Sequence, residues 1–235
     1  MRILAATGLS LTLTLAPLSL AQNPMGKEAL QSKMAELKTS MAANKAKLQK
    51  YQWVESTTVS LKGEVKKDVE SLCHYGPDGK VVKTPLGPPA APPKEKGGLR
   101  GKIVEKKKAE MGDYVERMKS LIGRYVPPDA EAMQAAFKAG KASLVPGGAS
   151  GETSLIFTDY VKPGDKVTLV IDSATKKIQS YIVNTYLDDP KDVVNLNVKF
   201  DSLADGTNHV AQTVLQSVEK QLEITTTNSN YQLRA

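Results

Sequence analysis

The stretch KVTLVIDSATKKIQSYIVNTYLDDPKDVVNLNVKF, residues 166–200, decides the fold. Three runs rich in β-branched and aromatic residues are joined by two short polar turns, 172–175 and 188–190. Connections this short join antiparallel neighbours, because a parallel pair needs a crossover of about a dozen residues or more. In the last run Val194, Leu196, Val198 and Phe200 alternate with Asn195, Asn197 and Lys199, which describes a half-buried strand with one wet face. The middle run is apolar in both phases: Ile178, Ile182 and Tyr186 on one, Tyr181, Val183 and Leu187 on the other. Such a strand is covered on both sides. It is either central in the sheet or one wall of an apolar hollow.

Outward from this unit the pattern continues. KASLV (141–145), TSLIFTDYV (153–161), NHVAQTVLQSV (208–218) and KQLEITTTN (220–228) read as further strands. Pro163-Gly164-Asp165, Ala204–Thr207 and Val218–Lys220 supply the turns. The C-terminal half is therefore an antiparallel meander, with no internal repeat.

Before it lies a short helix, AEAMQAAFKAG, capped by Asp129 and ended by Gly140. LRGKIVEKKKAEMGDYVERMKSLIGRYVPP (99–128) precedes that as a longer amphipathic helix. Val104, Met111, Val115, Met118, Leu121, Ile122 and Tyr125 form its apolar face, and Pro127-Pro128 stops it. TPLGPPAAPPKEKGG (84–98) holds five prolines and three glycines, which exclude a helix or a central strand. It is read as a stiff surface crossover within one domain. Upstream, YQWVESTTVSLKGEV and 65–75 form a strand pair, with Trp53, Thr57, Val59 and Leu61 on one face. A leading helix carries Leu30, Met34, Leu37, Met41 and Leu48 as a narrow stripe.

The first residues, MRILAATGLSLTLTLAPLSLAQN, have a positive start, an apolar centre and small residues before a cut after Ala21. This is the pattern of a secretory signal peptide, and the centre is too short to span a membrane at roughly 20 residues. Gln22 rather than a cysteine follows the cut, so no lipid anchor is expected. The expected mature protein is a single soluble periplasmic domain, residues 22–235, and a monomer. Net charge is +7, and between Lys94 and Arg124 ten Lys/Arg stand against five Asp/Glu. Export argues against nucleic acid as the target of that charge. A solvated helix face or an anionic envelope surface remains.

Chemistry is sparse. Two histidines exclude a histidine-rich metal site by count. Cys73 and His74 are adjacent on a strand, so they point to opposite faces and cannot act as a pair. Gly76-Pro77-Asp78-Gly79 reads as the turn that follows them. Asp188-Asp189 precede a proline and read as turn formers. No catalytic, cofactor or metal residues are assigned.

The order of elements resembles the LolA/LolB family of periplasmic lipoprotein carriers and its relatives. YQWVESTTVSLKGE resembles the strand after that family's leading helix, and VTLVIDSATKKIQSYIV its strand–turn–strand unit. KDVVNLNVKFDSLADGTNHVAQ resembles the next hairpin. The resemblance implies an α+β fold: a curved antiparallel β-sheet, an open half-barrel, covered by amphipathic helices. It also implies an apolar cavity, for which Trp53, Val59, Leu61, Phe157, Leu169, Ile171, Val194, Leu196 and Val198 are candidate linings. Met34, Met41, Met111 and Met118 are candidate lid residues, since methionine tolerates repacking. The same faces read equally well as ordinary core. Three functions are ranked in this order: a carrier or binding protein for an acyl chain, lipoprotein or other apolar ligand; a non-catalytic envelope adaptor using the basic helix 102–124 on a protein or membrane surface; and an enzyme with dispersed polar residues, so that no enzymatic activity is expected.

Overall fold

A computed structural model describes residues 27–87, 99–147 and 151–234. The leader with its cut after Ala21, and 88–98 of the proline-rich segment, lie outside the described residues. Helix α1 (Lys27–Leu48) is followed by strands β1 (Tyr51–Leu61), β2 (Glu64–Tyr75) and β3 (Val81–Leu86). Helices α2 (Leu99–Ile122) and α3 (Ala130–Lys138) follow. The meander is β4 (Ala142–Pro146), β5 (Glu152–Thr158), β6 (Lys166–Asp172), β7 (Ile178–Tyr186), β8 (Val193–Ser202), β9 (Asn208–Ser217) and β10 (Leu222–Leu233). The elements read from the sequence are all present. Within 84–98, Thr84, Pro85 and Leu86 belong to β3, where a proline is tolerated because β3 is an edge.

The ten strands form one antiparallel sheet in the order β3-β2-β1-β10-β9-β8-β7-β6-β5-β4. First and last strands pair, so the N-terminal hairpin is joined to the meander through β1 and β10. The sheet does not close: β3 and β4 are its two edges, and the chain passes from one to the other through α2 and α3.

Register explains the core. Successive partners Val59, Ile224, Leu215, Leu196, Val183, Val167, Phe157 and Ala142 form one row across eight strands, all apolar and all on one face. The next row runs Thr57, Thr226, Thr213, Val198, Tyr181, Leu169, Leu155 and Leu144. It is polar on β1, β10 and β9 and apolar from β8 to β4. Helices cover the apolar part: Tyr114, Met118, Leu121 and Tyr125 of α2 and its end, with Met133 and Ala136 of α3, join the same core.

Two details differ from the sequence pattern. Between Val170/Ile171 and Ser180/Ile178, β7 carries one extra residue, Gln179. This bulge turns Ile178 inward beside Tyr181, away from Ile182 and Tyr186, with which simple alternation groups it. Val104, which helical spacing puts on the apolar face of α2, is exposed, as is every residue from 102 to 110. The buried stripe begins only near Met111 and includes Tyr114, which the sequence reading passed over.

Candidate functional site: the groove beside α1

Helix α2 is fixed to the sheet by two buried polar rivets. The Tyr114 hydroxyl lies 2.6 Å from Asp192 Oδ1 and 2.6 Å from Ser217 Oγ. An ionised carboxylate only accepts, so Tyr114 donates to Asp192 and Ser217 donates to Tyr114. The Tyr125 hydroxyl repeats this with Asp165 at 2.7 Å and Thr185 at 2.8 Å. Asp165 also accepts from the backbone N–H groups of Tyr160, Val161 and Lys162. The Tyr181 hydroxyl donates to the Tyr125 carbonyl at 2.7 Å. Burial pushes the Tyr125 and Tyr181 phenols well above their ordinary range. At α3, Asp129 caps the helix through Glu131 N and Ala132 N, and Gly140 ends it at φ 73°, as its sequence predicts.

Among its described side chains, helix α1 has no such buried rivet. Of its described side chains only Leu37 is buried. Asn44 bonds both ways to the backbone of Asn208 at 2.7 Å, and Glu36 lies 4.0 Å from the Lys176 ammonium in the β6–β7 turn. A groove lies on each side. One, of about 310 Å³, is lined by Leu37, Met41, Asn44 and Leu48 together with Tyr75, Ile178 and Phe200 of the sheet. The other, of about 590 Å³, runs between α1 and α3. Leu37, Met41, Met133 and Phe137 give it an apolar lining, and Gln31, Lys38, Glu131, Gln134 and Lys138 a polar one. Its size falls within the range of small-molecule sites, roughly 300–1,000 Å³.

The residues singled out from sequence divide into three groups. Phe157, Leu169, Ile171, Val194, Leu196 and Val198 come together, between 0% and 8% exposed, packed under α2 and α3. Val59 and Leu61 meet the margin of that core, half-buried. Trp53 stands apart. Opposite it β10 carries an extra residue, Asn230 at φ 54°, and the Trp53 ring stacks on Tyr231 at 5.6 Å and tilts against Tyr75 at 5.5 Å. Trp53 Nε1 and Asn228 Oδ1 are buried there without hydrogen-bond partners. Of the lid residues, Met41 lines both grooves, Met111 packs at the core margin and Met118 is fully buried. The Met34 side chain lies outside the described residues. Met133 and Phe137 were missed as groove residues, although their spacing on a short helix was a readable signal.

Cys73 is fully buried on β2, and its Sγ faces the Ser71 carbonyl at 3.8 Å. Burial first, then the Glu55 carboxylate, raises its thiol pKa, the opposite of activation. Among the described residues, no three or more His, Cys, Asp or Glu side chains are grouped to hold a metal ion, and no helix is long and apolar enough to cross a membrane.

Among solved structures similar to this one are two of low sequence identity. A DUF1329 family protein from Desulfovibrio piger is 10% identical, with a TM-score of 0.44 over 87% of this chain and 93% of that one. A LolA superfamily protein from Nitrosomonas europaea is 9% identical, with a TM-score of 0.35 over the same shares, 87% and 93%. The second belongs to the superfamily that the element order resembles. No family model and no curated protein matches the chain.

Proposed function

We propose that the protein is an exported, periplasmic carrier or binding protein for an acyl chain or a comparable apolar ligand. In this reading the sheet curves as an open half-barrel and α1 is the movable lid over its concave side. One observation carries the proposal: a groove of about 590 Å³ with an apolar lining runs beside α1, of whose described side chains only Leu37 is buried. The contrast with α2 supports the assignment of roles. Two buried tyrosine rivets hold α2 and its end, while among the described side chains of α1 the ties are the Asn44 pair, an exposed Glu36–Lys176 ion pair, buried Leu37 and partly buried Met41.

An acyl chain suits this groove on energetic grounds. Each buried CH₂ contributes about 0.8 kcal/mol, so a single chain binds without any catalytic group. Lys38 and Lys138, one on each wall, suit a ligand with an anionic or polar head. Outward movement of α1 would join the groove to the core row that contains Phe157, Leu196 and Val59, and flexible Met41 would repack as it moved.

The test is mass spectrometry of an organic extract of the gently purified protein, followed by titration with a fluorescent fatty acid. A stoichiometric lipid or acylated peptide, and saturable probe binding, are expected. Ala35→Trp fills the groove from its exposed α1 wall and should abolish probe binding. A clean extract with no saturable binding would overturn the reading.

A further inference from the structure

The first half of α2 does not serve the groove, and it has its own composition. Residues 102–110 are all exposed, about 13 Å of helix at 1.5 Å per residue. Ile103, Lys107, Met111, Tyr114 and Met118 follow one another at spacings of three and four, so they share one stripe. The stripe is buried from Tyr114 onward, whereas Ile103 is 53% and Val104 44% exposed. Lys102, Lys106, Lys107 and Lys108 flank this uncovered apolar pair, with Glu105 the one carboxylate among them.

The adjoining strand ends of the sheet also expose valines among lysines. Tyr114 meets Ser217, and Lys62 N donates to the Gln221 carbonyl at 2.8 Å, so the β9–β10 and β1–β2 turns adjoin beside α2. Val65 and Val218 at these turns are 64% and 57% exposed. Among the described residues Lys62, Lys67, Lys102, Lys107 and Lys108 enter no ion pair, unlike Lys66 with Glu64 and Lys106 with Glu110.

We propose that the free half of α2, together with this rim, docks the protein on an anionic lipid surface. Ile103 and Val104 would enter the headgroup boundary and the unpaired lysines would face lipid phosphates. A helix with exposed branched apolar residues and lysines on its flanks is the composition of an interfacial anchor. Residue type favours lipid over a protein partner. Protein hot spots draw on Trp, Tyr and Arg and are poor in Lys. The rim offers aliphatic side chains and lysines, its Glu64 and Glu219 each being paired with a neighbouring lysine, and lysine is a strongly hydrated point charge suited to a diffuse anionic field rather than to bidentate recognition. The inference stands apart from the carrier reading, since it shares no residue with the groove.

The test is co-sedimentation of the purified protein with vesicles of phosphatidylcholine alone and of phosphatidylcholine with phosphatidylglycerol. Binding is expected only to the phosphatidylglycerol vesicles, and it should weaken as salt is raised. Replacing Lys102, Lys107 and Lys108 together by Gln should lower binding roughly a hundredfold, at about 1 kcal/mol per lysine. Ile103→Ser with Val104→Ser should weaken it at fixed salt, while fatty-acid binding in the groove is unchanged in both variants. No binding to phosphatidylglycerol vesicles at low salt, or binding that the lysine replacements leave intact, overturns the proposal. Intact fatty-acid binding in that case leaves the carrier reading standing, and its loss with normal vesicle binding does the reverse.

Discussion

Asn44 and Asn208 form a reciprocal pair: the Asn44 amide donates to the Asn208 carbonyl and accepts from the Asn208 N–H, both at 2.7 Å. One side chain in the last turns of α1 thus satisfies both backbone groups of the first residue of β9. Asn44→Ala should leave a part-buried N–H and carbonyl without partners, at a cost of about 1–3 kcal/mol. If α1 is the lid, the same change should speed fatty-acid release. Stopped-flow displacement separates the two effects, because a merely structural tie lowers stability and leaves the release rate alone.

A second expectation concerns the tyrosine rivets. The Tyr114 phenol is pushed up to about 12 from an ordinary 10.0, first by burial and then by its hydrogen bond to Asp192. Between about pH 10 and 12 the unfolded chain has released this proton while the folded protein still holds it. The folded state then binds more protons, so stability falls as pH rises through that window and is fully present below it. Urea midpoints measured from pH 9 to 12 should fall less steeply in Tyr114→Phe than in the native protein. A parallel fall in both would remove Tyr114 from the account.

Much of this architecture was legible in sequence, and the gaps have physical causes. Short turns and alternating runs gave β4 to β10, because local chemistry decides them. Strand order across the chain ends was not readable. Pairing of β1 with β10 joins segments more than a hundred residues apart, and no local pattern encodes it. The rivets were hidden for the same reason: Tyr114 meets Asp192 at a separation of 78 residues and Ser217 at 103. A bulge defeats alternation, which is why the sequence pattern groups Ile178 with Ile182 and Tyr186. In the candidate site Met41 was readable as a flexible helix residue. Its meeting with Met133 and Phe137 depends on how α1 and α3 lie side by side.

Cys73 should behave as an inert core thiol. It is fully buried, and burial holds its pKa up. Labelling of the folded protein by a small disulfide reagent should be slow, and its rate should climb with urea in step with unfolding. Fast labelling in native buffer would mean that β2 opens locally or that the thiolate is activated.

The last expectation separates a packed core from a preformed hollow. Phe157 and Leu169 are 0% exposed and lie in adjacent rows beneath α2 and α3. In a close-packed core, Leu169→Ala should cost about 2–5 kcal/mol and Phe157→Ala about 3–5, because the lost contacts are not replaced. If instead these residues line a space that a ligand fills, truncation enlarges a site that is already open. The cost should then shrink, and affinity for a longer fatty acid should rise. Denaturant unfolding of both variants, with and without saturating fatty acid, reads the two cases. A large loss of stability that fatty acid does not restore places the ligand in the groove beside α1, with Phe157 and Leu169 as its floor of support. A small loss, with tighter binding of long chains, would extend the binding site from Met41 and Phe137 into the sheet itself.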